Sequence, residues 1–165
     1  FSVNRRGFLA FLCAAGAGLA AFLLFRTDEE GEVRSVLTRL VACVNKEAGE
    51  QSYVQMGKLR TLEELVAWQI TAAVAPEGEP VVLEREDAVR AVGAVRAACS
   101  RLEVTLSDMR IELNPDKESA QVTAHIAWTL EGPDFPLPQS PAACSAQFVK
   151  DIADGRWKLS RISLQ

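Results

Sequence analysis

The sequence predicts an α+β domain behind a single N-terminal transmembrane helix. Three observations lead to this fold class. Residues 7–25 form an uncharged run that is long enough to cross a bilayer. Apolar residues then recur with the helical period as far as about residue 99, and from Ser100 onward they alternate with the strand period. We therefore expect three helices followed by an antiparallel sheet of about four strands, within one domain at residues 27–165.

The uncharged run is Gly7–Phe25, and its two flanks carry opposite charges. Arg5 and Arg6 precede it, whereas the residues that follow Arg26 are mainly acidic: Asp28, Glu29, Glu30 and Glu32. Because positive flanks stay on the cytoplasmic side, we expect a cytoplasmic N-terminus. Residues 1–26 are therefore predicted to be a single-pass signal anchor in a bacterial inner membrane, with the rest of the chain in the periplasm.

The start of the chain also resembles a twin-arginine export signal. The stretch Arg5-Arg6-Gly7-Phe8-Leu9 matches the R-R-x-F-L core, although two arginines would also serve as a plain anchor at a helix end. Its A-x-A triplet, Ala15–Ala17, lies within the apolar run, whereas a cleavage site follows such a run. We therefore expect the segment to stay attached to the domain.

Small residues recur along the predicted span at four-residue spacing. They form two adjacent ridges, Ala10, Ala14 and Gly18 in one and Cys13, Ala17 and Ala21 in the other. Such ridges allow the backbones of membrane helices to approach closely. Alanine-rich composition is also ordinary in export signals, but we expect the span to pack against other membrane helices.

Three helical patterns follow the span. The first begins at about Glu32 and carries a continuous apolar stripe: Val33, Val36, Leu37, Leu40, Val41 and Val44. The second is expected to open at Thr61, whose spacing to Glu64 fits a capping box, and to extend to Ala73. The third is expected over about Glu86–Cys99.

The strand pattern starts at about residue 101. Leu102, Val104 and Leu106 share one phase, and Met109, Ile111 and Leu113 share the opposite phase. The phase changes at Ser107–Asp108, which predicts a β-bulge, because a one-residue slip turns later side chains to the other face. Further strands are expected over about Ala120–Leu130, Ala143–Lys150 and Arg156–Leu164, the last two joined by a turn at Asp154–Gly155.

This order of elements resembles the NTF2-like superfamily, also described as cystatin-like or SnoaL-type. The resemblance lies in the bent strand Arg101–Leu113 and in the terminal hairpin Phe148–Leu159, and it covers about residues 30–165. It implies a cone, in which a curved sheet wraps around the helices, with a pocket at the wide end. It also implies that a homodimer can form through the sheet.

Charge and cysteine usage exclude several classes of function. Beyond the three arginines of residues 1–26, the chain carries 15 basic and 22 acidic residues. A domain this acidic is unsuited to nucleic acid, which requires clustered Lys and Arg. The chain has one histidine, and its cysteines are far apart, at Cys13, Cys43, Cys99 and Cys144. That spacing is not typical of a metal site, and we expect neither a metal nor a cofactor. One disulfide among the last three cysteines remains open.

The candidate site residues are few. The resemblance implies an Asp or Asp/His pair inside the cone, and Asp108 and His125 are the candidates for it. However, His125 lies on the polar phase of its strand, so we expect a structural aspartate and a surface histidine. Tyr53, Trp68 and Trp128 could line a ligand pocket, with core packing as the alternative for the two tryptophans.

These observations favour a non-catalytic accessory or scaffold subunit of a membrane protein complex. Its partners would be other subunits, contacted through the span and through the periplasmic domain. Two alternatives stay open. One is a membrane-tethered protein that binds a small apolar ligand in its pocket, and the other is an acid–base enzyme that uses Asp108 and His125.

Overall fold

The computed structural model describes residues 28–73, 79–132 and 142–164. The predicted signal anchor, with its arginine pair and both ridges of small residues, lies outside these residues. Within the described part of the chain, no helix combines the length and the apolar character that crossing a membrane requires.

The described residues contain three helices: α1 at Glu29–Val44, α2 at Ser52–Leu65 and α3 at Arg85–Ala98. Helix α1 starts three residues earlier than expected. Asp28 explains this start, because its side chain accepts a hydrogen bond from the Gly31 amide at 3.1 Å and so caps the helix. Helix α3 begins and ends within one residue of the predicted limits.

In the part of the chain that the structure describes, six strands form one sheet, two more than expected. Their bounds are β1 Val66–Ala73, β2 Val81–Glu84, β3 Arg101–Leu113, β4 Ser119–Glu131, β5 Ala142–Lys150 and β6 Trp157–Leu164. The strand order is β2-β1-β6-β5-β4-β3. Neighbouring strands are antiparallel except β1 and β6, which run parallel. The sheet is therefore mixed rather than purely antiparallel.

The second helix was predicted at the wrong place. Helix α2 ends at Leu65, and the expected continuation to Ala73 is strand β1. Val66 and Ile70 misled the prediction because a spacing of four residues places two side chains on one face of a helix and also of a strand. Thr61 is not a cap either, since its hydroxyl donates to the Gly57 carbonyl within the helix at 3.0 Å.

The predicted bulge in β3 is confirmed. Ser107 pairs with His125 and Arg110 pairs with Thr123, so two residues of β3 oppose one residue of β4. Asp108 takes a left-handed conformation there, with φ of 53°. The expected turn before β6 is also present, and Gly155 supplies its positive φ of 68°.

The helices cover one face of the sheet, which we call the inner face. Two turns lie at one end of the domain, at residues 114–118 and 151–156, and we call it the hairpin end. Its interior is filled by Phe148, Trp157 and Val33, all at most 2% exposed. Lys46, just beyond α1, bridges to Leu102 at the start of β3, so α1 runs from the hairpin end to the opposite end.

Candidate functional site

A cavity of about 370 Å³ lies between the helices and the inner face of the sheet. The described residues that line it are all apolar side chains, contributed by all three helices and all six strands. They are Leu37, Leu40, Val41, Val44, Leu62, Val66, Ile70, Ala72, Leu83, Ala88, Val89, Ala91, Val92, Val104, Leu106, Val122, Ala124, Ile126, Cys144, Ala146, Leu159 and Ile162. The volume falls at the lower end of the range of small-molecule pockets.

Small side chains at the centre of the sheet explain why this space stays open. Ala124 on β4 pairs with Cys144 on β5, and Val122 pairs with Ala146 two residues further along. All four point to the inner face and line the cavity. Helix α3 adds Ala88 and Ala91 from the opposite side. Because short side chains face each other across the cone, they leave a space that larger residues would fill.

The described side chains that line the cavity include almost no reactive or ionisable group. Cys144 is the one residue in the described lining with an ionisable side chain. Burial raises the pKa of this thiol above its usual value of 9.0, although a hydrogen bond with the Ala124 backbone opposes the shift. The thiol is therefore neutral at physiological pH and a weak nucleophile. Among the described residues, no group of three His, Cys, Asp or Glu side chains could hold a metal.

Asp108 and His125 do come together, but on the outer face of the sheet. The His125 Nδ1 lies 3.3 Å from the Asp108 Oδ2, and their side chains are 54% and 77% exposed. The neighbours Ala124 and Ile126 point the other way, into the cavity. A dyad inside the cone, as the resemblance implied, is therefore not formed by these two residues, because the strand alternation carries His125 outward.

The aromatic candidates do not line the cavity. Tyr53 near the start of α2 and Trp68 on β1 are 68% and 61% exposed, so Trp68 is not a core residue either. The Arg85 guanidinium lies over the Trp68 ring, 5.8 Å from its centroid. Trp128 is partly buried on β4 and is also absent from the lining.

Sequence reasoning missed a buried polar cluster at the end of α1 away from the hairpin end. Arg96 pairs with Glu50, and Lys58 donates to the same carboxylate at 2.6 Å. Lys46 donates to the carbonyls of Arg96 and Cys99, at 2.5 and 2.6 Å, and so satisfies the end of α3. One signal was available: Arg96 continues the stripe of Val89 and Val92, where an apolar residue is expected.

The thiols of Cys43, Cys99 and Cys144 are free.

No protein-family model and no curated protein matches this sequence. Several solved structures are similar in fold. The protein Kfla4162 from Kribbella flavida superimposes with a TM-score of 0.66 at 14% identity, covering 83% of this chain and 89% of its own. An NTF2-like protein from Cytophaga hutchinsonii gives 0.62 at 17% identity, covering 84% and 98%. A candidate scytalone dehydratase from Novosphingobium aromaticivorans gives 0.56 at 13% identity, covering 83% of each chain.

The chain therefore has the NTF2-like, or cystatin-like, fold that the resemblance predicted. Proteins named as candidate enzymes are among those with a similar structure, including a dehydratase from Streptomyces avermitilis and an aromatic ring hydroxylase from Novosphingobium aromaticivorans. At such low identities the likeness concerns the fold and not the function.

Proposed function

We propose that this chain is a non-catalytic binding protein whose cone holds a small, uncharged, apolar molecule, and that residues 1–26 tether it to the outer side of a bacterial inner membrane. The observation that carries the binding role is the apolar character of the described residues that line the cavity. Apolar cavities of this kind accept apolar molecules because entry removes hydrocarbon surface from water and restores dispersion contacts.

Acid–base catalysis in this cavity is disfavoured. A general base has to lie within hydrogen-bond reach of the proton that it removes. The described lining holds no carboxylate, imidazole or amine, and the Asp108–His125 pair is separated from the cavity by the sheet. The neutral thiol of Cys144 does not replace these groups, because the thiolate is the reactive form.

The binding role can be tested with the apolar fluorescent probe N-phenyl-1-naphthylamine and the isolated domain, residues 27–165, without detergent or lipid. We expect a dissociation constant of about micromolar, from the typical affinity per non-hydrogen atom. The variant Ala124→Phe fills the cavity, and we expect it to lose most of the probe binding. Its matched control, Thr123→Phe, adds the same ring to the adjacent exposed position and should bind normally.

Two results would overturn the binding role. One is the absence of probe binding by the unmodified domain. The other is equal binding by the Ala124→Phe and Thr123→Phe variants, which would place the probe on the surface. Thermal unfolding of each variant shows that the domain is still folded.

The second candidate function is the accessory or scaffold subunit of a membrane complex. A specific observation favours it: large apolar side chains are exposed on β1 and β2 and near the start of α2. They are Tyr53, Met56, Trp68, Val81 and Val82. Val81 and Val82 are consecutive residues of β2, and exposed apolar residues that lie together are typical of surfaces that bind other proteins. Strand β2 is also an edge strand, with one side unpaired by the described strands.

A pull-down from mildly solubilised membranes tests this second candidate. The full chain is compared with a version that starts at Thr27 and with the full-length variant Val82→Lys. Partners that are lost with Val82→Lys, but kept by Thr105→Lys on the opposite edge strand, would place the interface on β2. Partners that need residues 1–26 would place it on the span, and recovery of the chain alone would contradict a subunit role.

A further inference from the structure

The first turn of α1 is fixed to the hairpin end of the domain by one carboxylate. Both oxygens of Glu29 accept hydrogen bonds from the Lys150 ammonium, at 2.9 and 2.8 Å. Glu29 also accepts from the Trp157 indole N–H at 3.1 Å. The Lys150 ammonium lies 5.4 Å from the centroid of the Trp157 ring. We call these three residues the Glu29 cluster. Through it, the start of α1 is held beside the end of β5 and the start of β6.

The proposed span ends very close to this cluster. Phe25 is the last residue of the apolar run, and Asp28 caps α1 three positions later. Three residues of extended chain reach at most about 11 Å. A span that ends at Phe25 therefore places the cap of α1 at the membrane surface, and the Glu29 cluster places the hairpin end there too.

We propose that the hairpin end of the domain faces the membrane and that Ile152, in the turn between β5 and β6, contacts the lipid. This inference rests on the proposed membrane anchoring. Ile152 follows Lys150 by two residues, and its side chain is fully exposed, at 103%. A single exposed isoleucine is ordinary on a soluble surface. Here it lies on the side of the domain from which the apolar run leaves, where lipid is the apolar material within reach.

The contact is apolar rather than electrostatic. In the two turns and the first turn of α1, exposed acidic residues outnumber exposed basic ones. The acidic ones are Asp28, Glu30, Glu32, Asp116, Glu118 and Asp154, and the basic ones are Lys117 and Arg156. Such a surface is not attracted to anionic headgroups. The tether therefore provides the proximity, and the contact should be insensitive to salt.

This orientation also sets the direction from which a ligand enters. Helix α1 has 16 residues and is about 24 Å long, so its last turn lies well away from the membrane. The cavity is lined by the second half of α1, from Leu37 to Val44, and by the first half of β3, at Val104 and Leu106. An opening at this end of the cavity would admit a ligand from the aqueous side and not from the bilayer.

The experiment places a fluorophore at the two ends of the full-length chain. Ile152→Cys and Glu47→Cys are made separately in a Cys13→Ala/Cys144→Ala background, since Cys43 and Cys99 are buried. Glu47 is exposed and follows α1 at the end opposite the hairpin end. Each variant is labelled with an NBD maleimide and reconstituted into neutral phosphatidylcholine vesicles. Some of the vesicles carry a doxyl quencher near the headgroup.

We expect the label at 152 to shift to the blue and to lose most of its fluorescence to the lipid quencher, while the label at 47 changes little. Raising NaCl from about 0.1 M to about 1 M shortens the Debye length from about 10 Å to about 3 Å. This change should not alter the difference in quenching between the label at 152 and the label at 47. If the protein resists carbonate extraction but the label at 47 is quenched as strongly as the label at 152, or more strongly, the chain is anchored and the proposed orientation is wrong. Release of the chain by carbonate would overturn anchoring and the orientation together.

Discussion

Arg96 on α3 forms an ion pair with Glu50, which precedes α2, and the two side chains are only 1% and 5% exposed. The same guanidinium donates to the carbonyl oxygens of Cys43, Val44 and Asn45, at 2.8, 2.8 and 2.5 Å. These carbonyls belong to the end of α1, where a positive charge is favourable and backbone acceptors need partners. One side chain therefore joins α3 to the end of α1 and to the segment that precedes α2, at the end of the domain away from the hairpin end.

Replacing the Arg96 guanidinium by an uncharged side chain should destabilise the domain. We expect Arg96→Met to lower the free energy of unfolding by about 2–4 kcal/mol, because the carbonyls of Cys43 and Val44 lose a buried donor and the Glu50 carboxylate, which Lys58 still contacts, loses a cationic partner. Urea denaturation of the domain, followed by tryptophan fluorescence, measures this change. Arg90→Met is the matched control on the same helix, since its ion pair with Asp87 is exposed and worth at most about 1 kcal/mol. Equal losses for the two variants would contradict a structural role for the buried pair.

Acid should remove part of this stability. Burial alone would raise the pKa of Glu50, but the hydrogen bond from Lys58 and the positive charges of Arg96 and Lys58 lower it overall, below the usual 4.5. A carboxyl whose pKa is lowered by folding stabilises the fold above its unfolded pKa. That stability is lost as the pH falls through the folded value.

The measurement is the unfolding midpoint of the wild-type domain and of Glu50→Gln between neutral pH and pH of about 3, which lies below the usual carboxyl range. We expect the wild type to be more stable at neutral pH and the difference to shrink below pH of about 4.5. A difference that stays constant over this range would show that the charge of Glu50 does not contribute.

Asp108 should be replaceable by glycine but not by a β-branched residue. Its φ of 53° is strained for most side chains, and glycine adopts it freely. We expect Asp108→Gly to change the free energy of unfolding by less than about 1 kcal/mol, because the exposed pair with His125 contributes little. Asp108→Val should lose about 1–2 kcal/mol from left-handed strain. His125→Ala serves as the control, because it removes the pair and leaves the backbone at residue 108 unchanged. If His125→Ala lowers the free energy of unfolding as much as Asp108→Val does, the pair contributes more to stability than the backbone conformation.

The sequence alone predicts those elements in which the hydrophobic periodicity and the flanking turn residues indicate the same structure. Strands β3 and β4 alternate over many residues, and the phase change at Ser107–Asp108 locates the bulge because a strand has only two faces. Strands β1 and β2 were missed for a different reason. Val66 and Ile70 continue the spacing of α2, and Val81–Glu84 is too short to show a period. Pairing with β6 and with β1, which is a tertiary effect, decides their conformation.

The site was less predictable than the fold. A cavity depends on how the side chains of distant elements are arranged around one space. Ala124 and Ala146 on the sheet and Ala88 on α3 line such a space. Residue type did not help, since alanine is ordinary in any of these elements. Aromatic residues such as Trp68 attract attention in a sequence, but their exposure follows from the position of β1 near the sheet edge. The apolar stripes predict where a core lies and not where it is incompletely filled.

The Glu29 cluster should stabilise the domain through hydrogen bonds to a charged group. We expect Glu29→Ala to lower the free energy of unfolding by about 1–3 kcal/mol, because the Lys150 ammonium and the Trp157 indole N–H both lose a nearly buried acceptor. Glu30→Ala is the matched control, since its pair with Arg34 is half exposed and should contribute about 0.5 kcal/mol or less. Urea denaturation compares the two variants. If Glu29→Ala is no more harmful than Glu30→Ala, the cluster does not hold the start of α1, and the domain would be free to turn relative to its tether.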